Sequence, residues 1–319
     1  MKGFIPQNLH PVYYIILLLV FMLGGFFVGN FIALALLYGL FDYGLQDLAG
    51  VVQNPAGYPN GKAAVNLFQG VSHFCAFTLA PVALLLAMGF NLRRYLSPKW
   101  QVPALLFLLT ALLIVVIMPV NSWFIDFNSK MDLPGFLQGF ESWAKEKEDA
   151  LKTLTQYLTK FDSVAEFILG MLIFALIPAI GEELVFRGVV QKQLIRWFRN
   201  PHAGIWVTAI IFGAIHLQFY GMLPRTLLGA LLGYLYWWSG NIWVPIVGHF
   251  MNNGFTVLLM YLLQRKVITY QIDTEEAMPI QSVIFSVIAT IGLLYFLRQQ
   301  FKTVPANPET APTESNTIF

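Results

Sequence analysis

The chain of 319 residues is 57% hydrophobic and only 11% charged, whereas soluble domains carry about a quarter charged residues. This composition excludes an ordinary water-soluble domain, and a net charge of +2 with scattered basic residues excludes an extended nucleic-acid-binding surface. The single cysteine, Cys75, excludes an intrachain disulfide and a cysteine-based metal site.

Apolar runs long enough to cross a bilayer recur along the whole chain. A spanning helix needs about 20 mostly apolar residues, and by this measure the sequence predicts about eight spanning helices. Their expected extents, in chain order, are 13–40, 69–91, 102–125, 164–190, 203–219, 222–238, 242–263 and 280–298. The predicted fold is therefore an all-α, polytopic membrane helical bundle.

Two long segments and the C-terminal tail lie outside these helices. Residues 41–68 are rich in Gly, Pro and Asn, which is typical of a loop. Residues 126–162 carry apolar side chains at helical spacing with Glu and Lys between them, which predicts an amphipathic helix. This helix could lie on the membrane surface or pack across the mouth of the bundle, and the sequence favours neither. Residues 303–319 are rich in Pro, Thr, Ser and Asn and are predicted to be disordered.

The basic residues of the short loops indicate how the helices are oriented. Lys and Arg accumulate in cytoplasmic loops, and four basic clusters fall on one side of an eight-helix bundle: before helix one, between helices two and three, after helix four and after helix eight. Arg265 and Lys266 fall on the other side. We expect an integral, multi-pass protein of the plasma or inner membrane with both termini in the cytoplasm.

The fourth predicted helix carries Glu182, Glu183 and Arg187 inside an apolar run. Ionisable side chains in spanning helices are costly and mark a functional site by default. Arg187 lies four residues after Glu183, the spacing at which side chains on a helix meet, so we expect these two to form an ion pair. Adjacent residues point about 100° apart on a helix, which leaves Glu182 as the carboxylate available for chemistry.

Two further predicted helices carry histidines beside other polar groups. Helix five contains Phe212 and His216, and helix seven carries His249 and Asn253 four residues apart on one face. The other three histidines lie near predicted helix ends and are interpreted as interfacial: His10, His73 and His202.

A glutamate, two histidines and an asparagine supply the groups that peptide hydrolysis needs. The reaction requires a base for water, an acid for the leaving amine and donors for the oxyanion. Three other interpretations use the same residues: a polar network that only joins helices, an ion-coupled transporter, and a non-enzymatic membrane scaffold or immunity protein. The sequence shows no inverted repeat of the kind that many transporters contain.

The motifs Glu-Glu-x-x-x-Arg, Phe-x-x-x-His and His-x-x-x-Asn occur in this order between Glu182 and Asn253. This pattern resembles the CPBP intramembrane endopeptidase family, which is also called the CAAX-protease or Abi (bacteriocin-processing) family. The resemblance covers about Phe167 to Tyr261. It implies a CPBP-type catalytic transmembrane core in residues 164–302, preceded by N-terminal helices in residues 1–163 and followed by the tail.

The resemblance also implies a role for each motif residue. Glu182 would activate the water with help from His216, while His249 and Asn253 would form the oxyanion hole and Phe212 would pack beside the site. The family is described both as metal-dependent and as metal-free, and we favour the metal-free form without a cofactor. If zinc is bound, its ligands would be Glu182, His216 and His249.

The predicted activity is the hydrolysis of a peptide bond by a glutamate-activated water. The expected partners are membrane lipid and a membrane-associated protein or peptide substrate, including a lipidated one, and no nucleic acid. The sequence leaves the identity of the substrate and the oligomeric state open.

Overall fold

The computed structural model describes residues 3–99, 101–269 and 278–305. Within these ranges every regular element is a helix and no strand occurs, so the predicted all-α fold is confirmed. The helices are α1 (Pro11–Phe41), α2 (Leu45–Gln53), α3 (Gly61–Ala87), α4 (Leu92–Leu96), α5 (Ala104–Ser129), α6 (Gln138–Leu158), α7 (Val164–Phe198), α8 (Pro201–Ala214), α9 (Met222–Ser239), α10 (Trp243–Gln264) and α11 (Ile280–Thr303). The predicted disordered tail lies outside the described residues from position 306 onward.

In the described parts of the chain, six helices are long and apolar enough to cross a membrane: α1, α3, α5, α7, α10 and α11. Helix α8 is apolar but shorter, and α9 has 18 residues. Together with α8 and α9, these six helices correspond in order to the eight helices that the sequence predicts. The chain is an integral, multi-pass membrane protein.

Contacts between helix ends define one end of the bundle, which we call the basic end because most Lys and Arg of the short connections lie there. The Phe4 amide donates to the Ala87 carbonyl (3.0 Å), and the Lys99 amide donates to the Gly240 carbonyl (3.1 Å). The Lys99 ammonium also donates to the Phe301 carbonyl (3.1 Å). The start of α1 and the end of α11 therefore lie at the same end of the bundle.

The opposite end, which we call the loop end, carries α6 and the longer connecting segments. The Lys62 ammonium at the start of α3 lies 2.6 Å from Glu166 near the start of α7. The Tyr220 amide, between α8 and α9, donates to Glu148 on α6 (2.7 Å). Helix α6 thus packs across the end of the bundle, which is the second of the two predicted arrangements.

The prediction that residues 41–68 form a loop was wrong. Helix α2 occupies the first part of this segment, and α3 begins at Gly61 rather than at residue 69. Val51 of α2 is buried in a small apolar cluster that also contains Leu158 of α6. Packing against neighbouring helices, rather than the local content of Gly, Pro and Asn, decides the structure of this segment.

Helices α3 and α7 contain wide, π-type turns at Phe74–Leu79, Met171–Leu176 and Leu184–Gln191. Such turns are rare, and they occur frequently at functional sites. One of them begins directly after His73, and another begins directly after the Glu182–Glu183 pair. Both helices are therefore irregular at the level where their ionisable side chains meet.

Candidate active site

A buried ion network is built on Glu183 of α7. Arg187 Nη1 lies 2.7 Å from Glu183 Oε1, and both side chains are fully buried. His249 Nδ1, on α10, lies 2.8 Å from the same carboxylate oxygen. Arg187 also donates from Nη2 to the Gly229 carbonyl of α9 (2.7 Å). The Glu183–Arg187 ion pair expected from the spacing of four residues is present. The network built on it joins α7, α9 and α10.

Glu182, one residue earlier, faces a different set of side chains. Its Oε1 lies 3.4 Å from Nε2 of His73 on α3, and its Oε2 lies 3.8 Å from Nε2 of His249. The Glu182 side chain is 12% exposed, whereas that of Glu183 is fully buried. Glu182 Oε2 is itself buried and has no hydrogen-bond partner among the described residues. Glu182 is therefore the more accessible carboxylate as a whole side chain, and its buried Oε2 is left to accept a hydrogen bond from a bound molecule.

His249 connects the two carboxylates. Its Nδ1 is held by Glu183, so its Nε2 is the nitrogen that is directed toward Glu182. A partner on one ring nitrogen of a histidine determines which nitrogen is presented to a reacting group. The distance of 3.8 Å between Nε2 and Glu182 exceeds that of a direct hydrogen bond. The imidazole can therefore meet a further polar atom beside the Glu182 carboxylate.

Phe212 of α8 packs at the centre of the cluster. Its ring centroid lies 5.9 Å from that of His249, 5.2 Å from that of His216 and 5.0 Å from the Arg187 guanidinium. His216, just beyond the end of α8, is half-buried, and its Nδ1 lies 2.8 Å from the Phe212 carbonyl oxygen. Phe212 thus packs against the rings of both histidines, and of these His249 contacts the carboxylates.

Asn253 lies one turn beyond His249 on α10. Its Nδ2 donates to the Phe174 carbonyl of α7 (3.3 Å), and its Oδ1 accepts from Asn252 Nδ2 (3.0 Å). An amide group carries two N–H bonds, so these contacts leave one for another acceptor. The structure brings the predicted site residues into one cluster, with Asn253 at its edge against α7.

The interpretation of His73 as an interfacial residue was wrong. Because α3 begins at Gly61, His73 lies in the middle of the spanning helix and not at its end. Its ring stacks on that of Phe77, with 4.3 Å between centroids and 9° between planes. The spacing of four residues between His73 and Phe77 is present in the sequence, but it becomes informative only when the start of the helix is known.

The alternative zinc ligands Glu182, His216 and His249 do not come together as a metal site. In the parts of the chain that the structure describes, no group of three or more His, Cys, Asp or Glu side chains is placed to hold a metal ion. His216 turns its Nδ1 to the Phe212 carbonyl instead. The three side chains are therefore not gathered around one point in this arrangement, and the metal-free reaction is part of the proposal below, which includes a measurement of bound zinc.

Comparison with known proteins concerns the segment that contains most of this cluster. The family model described as type II CAAX prenyl endopeptidase Rce1-like matches residues 164–255. This match confirms the resemblance carried by the motifs between Glu182 and Asn253. Helix α3 and His73 lie outside the matched segment.

Two curated proteins of Bacillus subtilis (strain 168) are similar to part of the chain. The protein named "Uncharacterized protein YpbD" is 33% identical over 85 residues, which are 25% of this chain and 40% of that protein. The protein named "Putative membrane peptidase YdiL" is 30% identical over 98 residues, which are 31% of this chain and 40% of that protein. The chain thus spans about two-fifths of the length of these relatives. No solved structure matches the chain.

Proposed function

We propose that the protein is an intramembrane endopeptidase that hydrolyses a peptide bond of a membrane-associated protein or peptide with a water molecule activated by Glu182. The position of Glu182 carries this proposal: the carboxylate lies inside the bundle, between two imidazoles, and remains partly accessible. The match to a family of CAAX prenyl endopeptidases supports the same class of reaction.

In the proposed reaction, Glu182 Oε2 accepts a proton from water while the water oxygen attacks the carbonyl carbon of the scissile bond. The carbonyl oxygen becomes an oxyanion, which His249 Nε2 stabilises by donating a hydrogen bond. The C–N bond then breaks, and the proton held by Glu182 passes to the leaving amine. His216 assists this proton transfer, and the unused N–H of Asn253 provides a second donor to the oxyanion.

Glu183 and Arg187 support this reaction through His249. A histidine donates from both ring nitrogens only when it is charged, and a buried carboxylate on Nδ1 both orients such a ring and stabilises its charge. Glu183 holds Nδ1 of His249 at 2.8 Å in this way. Arg187 balances the charge of Glu183 and fixes its carboxylate, so Nε2 of His249 stays directed at the oxyanion.

The substrate that we propose reaches the site from the membrane, either as a membrane-embedded segment or as a lipidated peptide. Large apolar side chains remain exposed on the outer helices, for example Phe31 of α1 (72%) and Phe285 of α11 (71%). These surfaces suit lipid contact, so a substrate anchored in lipid can approach the bundle laterally. Because Lys and Arg accumulate on the cytoplasmic side of membrane proteins, we also propose that the basic end, where α1 begins and α11 ends, faces the cytoplasm.

The activity is tested with purified protein in lipid vesicles and an internally quenched peptide whose fourth residue from the carboxyl terminus is S-farnesyl cysteine. The same peptide without the farnesyl group is the second probe. We expect the wild type to cleave at least one peptide and Glu182→Gln, which cannot accept the proton, to cleave it at least about 100-fold more slowly. Glu146→Gln, on an exposed position of α6, is the matched control and should keep the wild-type rate.

Two results would contradict this proposal. If the wild type cleaves neither peptide faster than Glu182→Gln does, the protein is not the endopeptidase described above. If the purified protein holds stoichiometric zinc that is lost in His216→Ala, measured by elemental mass spectrometry, the metal-free reaction is wrong.

A further inference from the structure

We infer that His73 is a positioning residue for Glu182, supplied by a helix outside the segment that matches the family. This inference rests on the proposed function, because it assigns His73 a role in the orientation of the carboxylate that activates water. His73 Nε2 holds Glu182 Oε1 and thereby leaves Oε2 as the oxygen that meets water beside His249.

The contacts of Glu182 distinguish its two oxygens. His73 Nε2 lies 3.4 Å from Oε1, within ion-pair distance, while His249 Nε2 lies 3.8 Å from Oε2. Each oxygen therefore has its own imidazole, and the nearer imidazole is that of His73. Contacts of this kind are often long in the absence of substrate and shorten when it binds.

The ring of His73 is held in one orientation. It stacks in parallel on Phe77, one helical turn further along α3, with 4.3 Å between the ring centroids. Its Nδ1 is buried and makes no hydrogen bond to the described part of the chain, so Nε2 is the nitrogen that serves Glu182. The His73 side chain is 26% exposed, whereas that of His249, the other imidazole beside Glu182, is 4% exposed.

Glycine allows α3 to approach α7 closely enough for this contact. A Cβ atom at Gly181, the residue before Glu182, would lie 2.8 Å from Phe77 Cβ and 3.0 Å from Thr78 Oγ1. Behind α3, a Cβ atom at Gly29 of α1 would lie 2.9 Å from Cys75 Cβ. Small residues permit such close helix packing in membranes, so α1 supports α3 and α3 is fixed against the helix that carries Glu182.

A fixed carboxylate matters because the reacting oxygen must lie close to the water and to the carbonyl carbon. A carboxylate without the His73 contact can turn to other angles about its last side-chain bond, and the oxygen beside His249 then moves away from its position. Misplacement of a catalytic group by about 1 Å costs roughly 100-fold in rate. The loss falls on the chemical step and not on the binding of substrate, because His73 acts through Glu182.

The kinetic test compares His73→Leu with His73→Gln in the vesicle assay with the quenched peptides. Leu removes the donor, so we expect kcat to fall by about 10–100-fold while KM stays within about twofold. The Gln amide nitrogen reaches to a similar distance and can donate to Oε1, so kcat should stay within about fivefold of the wild type, as loss or weakening of one hydrogen bond allows. His202→Leu removes an exposed histidine at the basic end and should leave kcat unchanged.

A double variant and a spectroscopic measurement separate this role from a structural one. Because His73 acts through Glu182, the double variant Glu182→Gln/His73→Leu should be no slower than Glu182→Gln alone. In protein labelled with ¹⁵N-histidine, the Nε2 resonance that disappears in His73→Leu should shift in Glu182→Gln and remain in place in Glu146→Gln.

The outcomes are distinguishable from failure of the proposed function. If the wild type cleaves no peptide, the endopeptidase proposal and the assigned role of His73 fail together, whereas the resonance shift still establishes their contact. If the wild type is active but His73→Leu keeps its kcat, or if the Nε2 resonance does not respond to Glu182→Gln, the inference about His73 is wrong and the proposed reaction stands. Equal losses in His73→Leu and His73→Gln would also overturn it.

Discussion

Substitution of Gly181 by alanine tests whether the close approach of α3 and α7 is required by the site. A Cβ atom at this position would lie 2.8 Å from Phe77 Cβ, whereas carbon atoms in contact are separated by about 3.5–4.0 Å. The two helices must therefore separate locally by roughly 0.7–1.2 Å, which is the difference between these distances. Such a movement lengthens the contact of 3.4 Å between His73 and Glu182 beyond ion-pair distance.

The expected effects of Gly181→Ala are a loss of stability of about 1–3 kcal/mol from overpacking and a decrease in kcat of up to about 100-fold from misplacement of Glu182. Stability is measured by thermal unfolding in detergent, followed by tryptophan fluorescence, and kcat by the vesicle assay. Gly24→Ala and Gly292→Ala are matched controls, because a Cβ atom at either position meets no described atom within 4 Å. Wild-type stability and kcat in Gly181→Ala would refute the argument.

Two further predictions concern other charged groups. Arg187→Met leaves the buried Glu183 carboxylate without its cation and should lower the free energy of unfolding by about 3 kcal/mol. The double variant with Glu183→Gln should recover part of this loss in the same unfolding measurement. An unchanged unfolding temperature in Arg187→Met would contradict the stabilising role of this ion pair. At the loop end, the hydrogen bond from Lys145 holds the pKa of Glu141 below its usual value. The contact between the Glu141 carboxylate and Lys145 is therefore fully present above the ordinary pKa of a glutamate. It is lost as the pH falls through the lower pKa that Glu141 has in the folded protein. The Leu133 amide donates to Glu141 (3.2 Å), and its protection from hydrogen exchange should fall only below about pH 4; Glu141→Gln should remove this pH dependence, and an identical acid response in that variant would contradict the prediction.

The all-α class and the approximate number of membrane-spanning helices could be predicted from the sequence, because length and apolarity suffice for that purpose in a membrane. The boundaries were less predictable. Helix five was expected to extend to residue 219, but α8 ends at Ala214 and Leu217 adopts a left-handed backbone conformation with φ of 52°. The apolar composition continues through this turn, so hydropathy alone does not mark where the helix ends.

The predicted part of the site rests on local spacing. Glu183 and Arg187 are four residues apart on one helix, so their ion pair follows from helix geometry alone. The contact of His249 with Glu183 depends instead on how α10 packs against α7. The motif resemblance indicated that these helices share one site, but it did not show which of the two carboxylates each histidine contacts.

The contact between His73 and Glu182 could not be predicted because it requires two facts that composition does not contain. One is the start of α3 at Gly61, which places His73 in the middle of its span. The other is the close packing at Gly181, which sets the rotation and the separation of two helices that are remote in sequence. A glycine directly before two glutamates in a spanning helix is a signal for such packing, although it does not identify the partner helix.

The distribution of these contacts shows that the matched segment does not contain all the side chains around Glu182. Residues 164–255 contain both carboxylates, Phe212 and two of the three histidines, but the imidazole nearest to Glu182 belongs to α3. Helix α3 is in turn supported by α1: Ser72 of α3 donates to Asn30 of α1 (2.7 Å), and Gly29 of α1 permits close packing. The N-terminal helices therefore complete the surroundings of Glu182, the carboxylate that we propose to activate water.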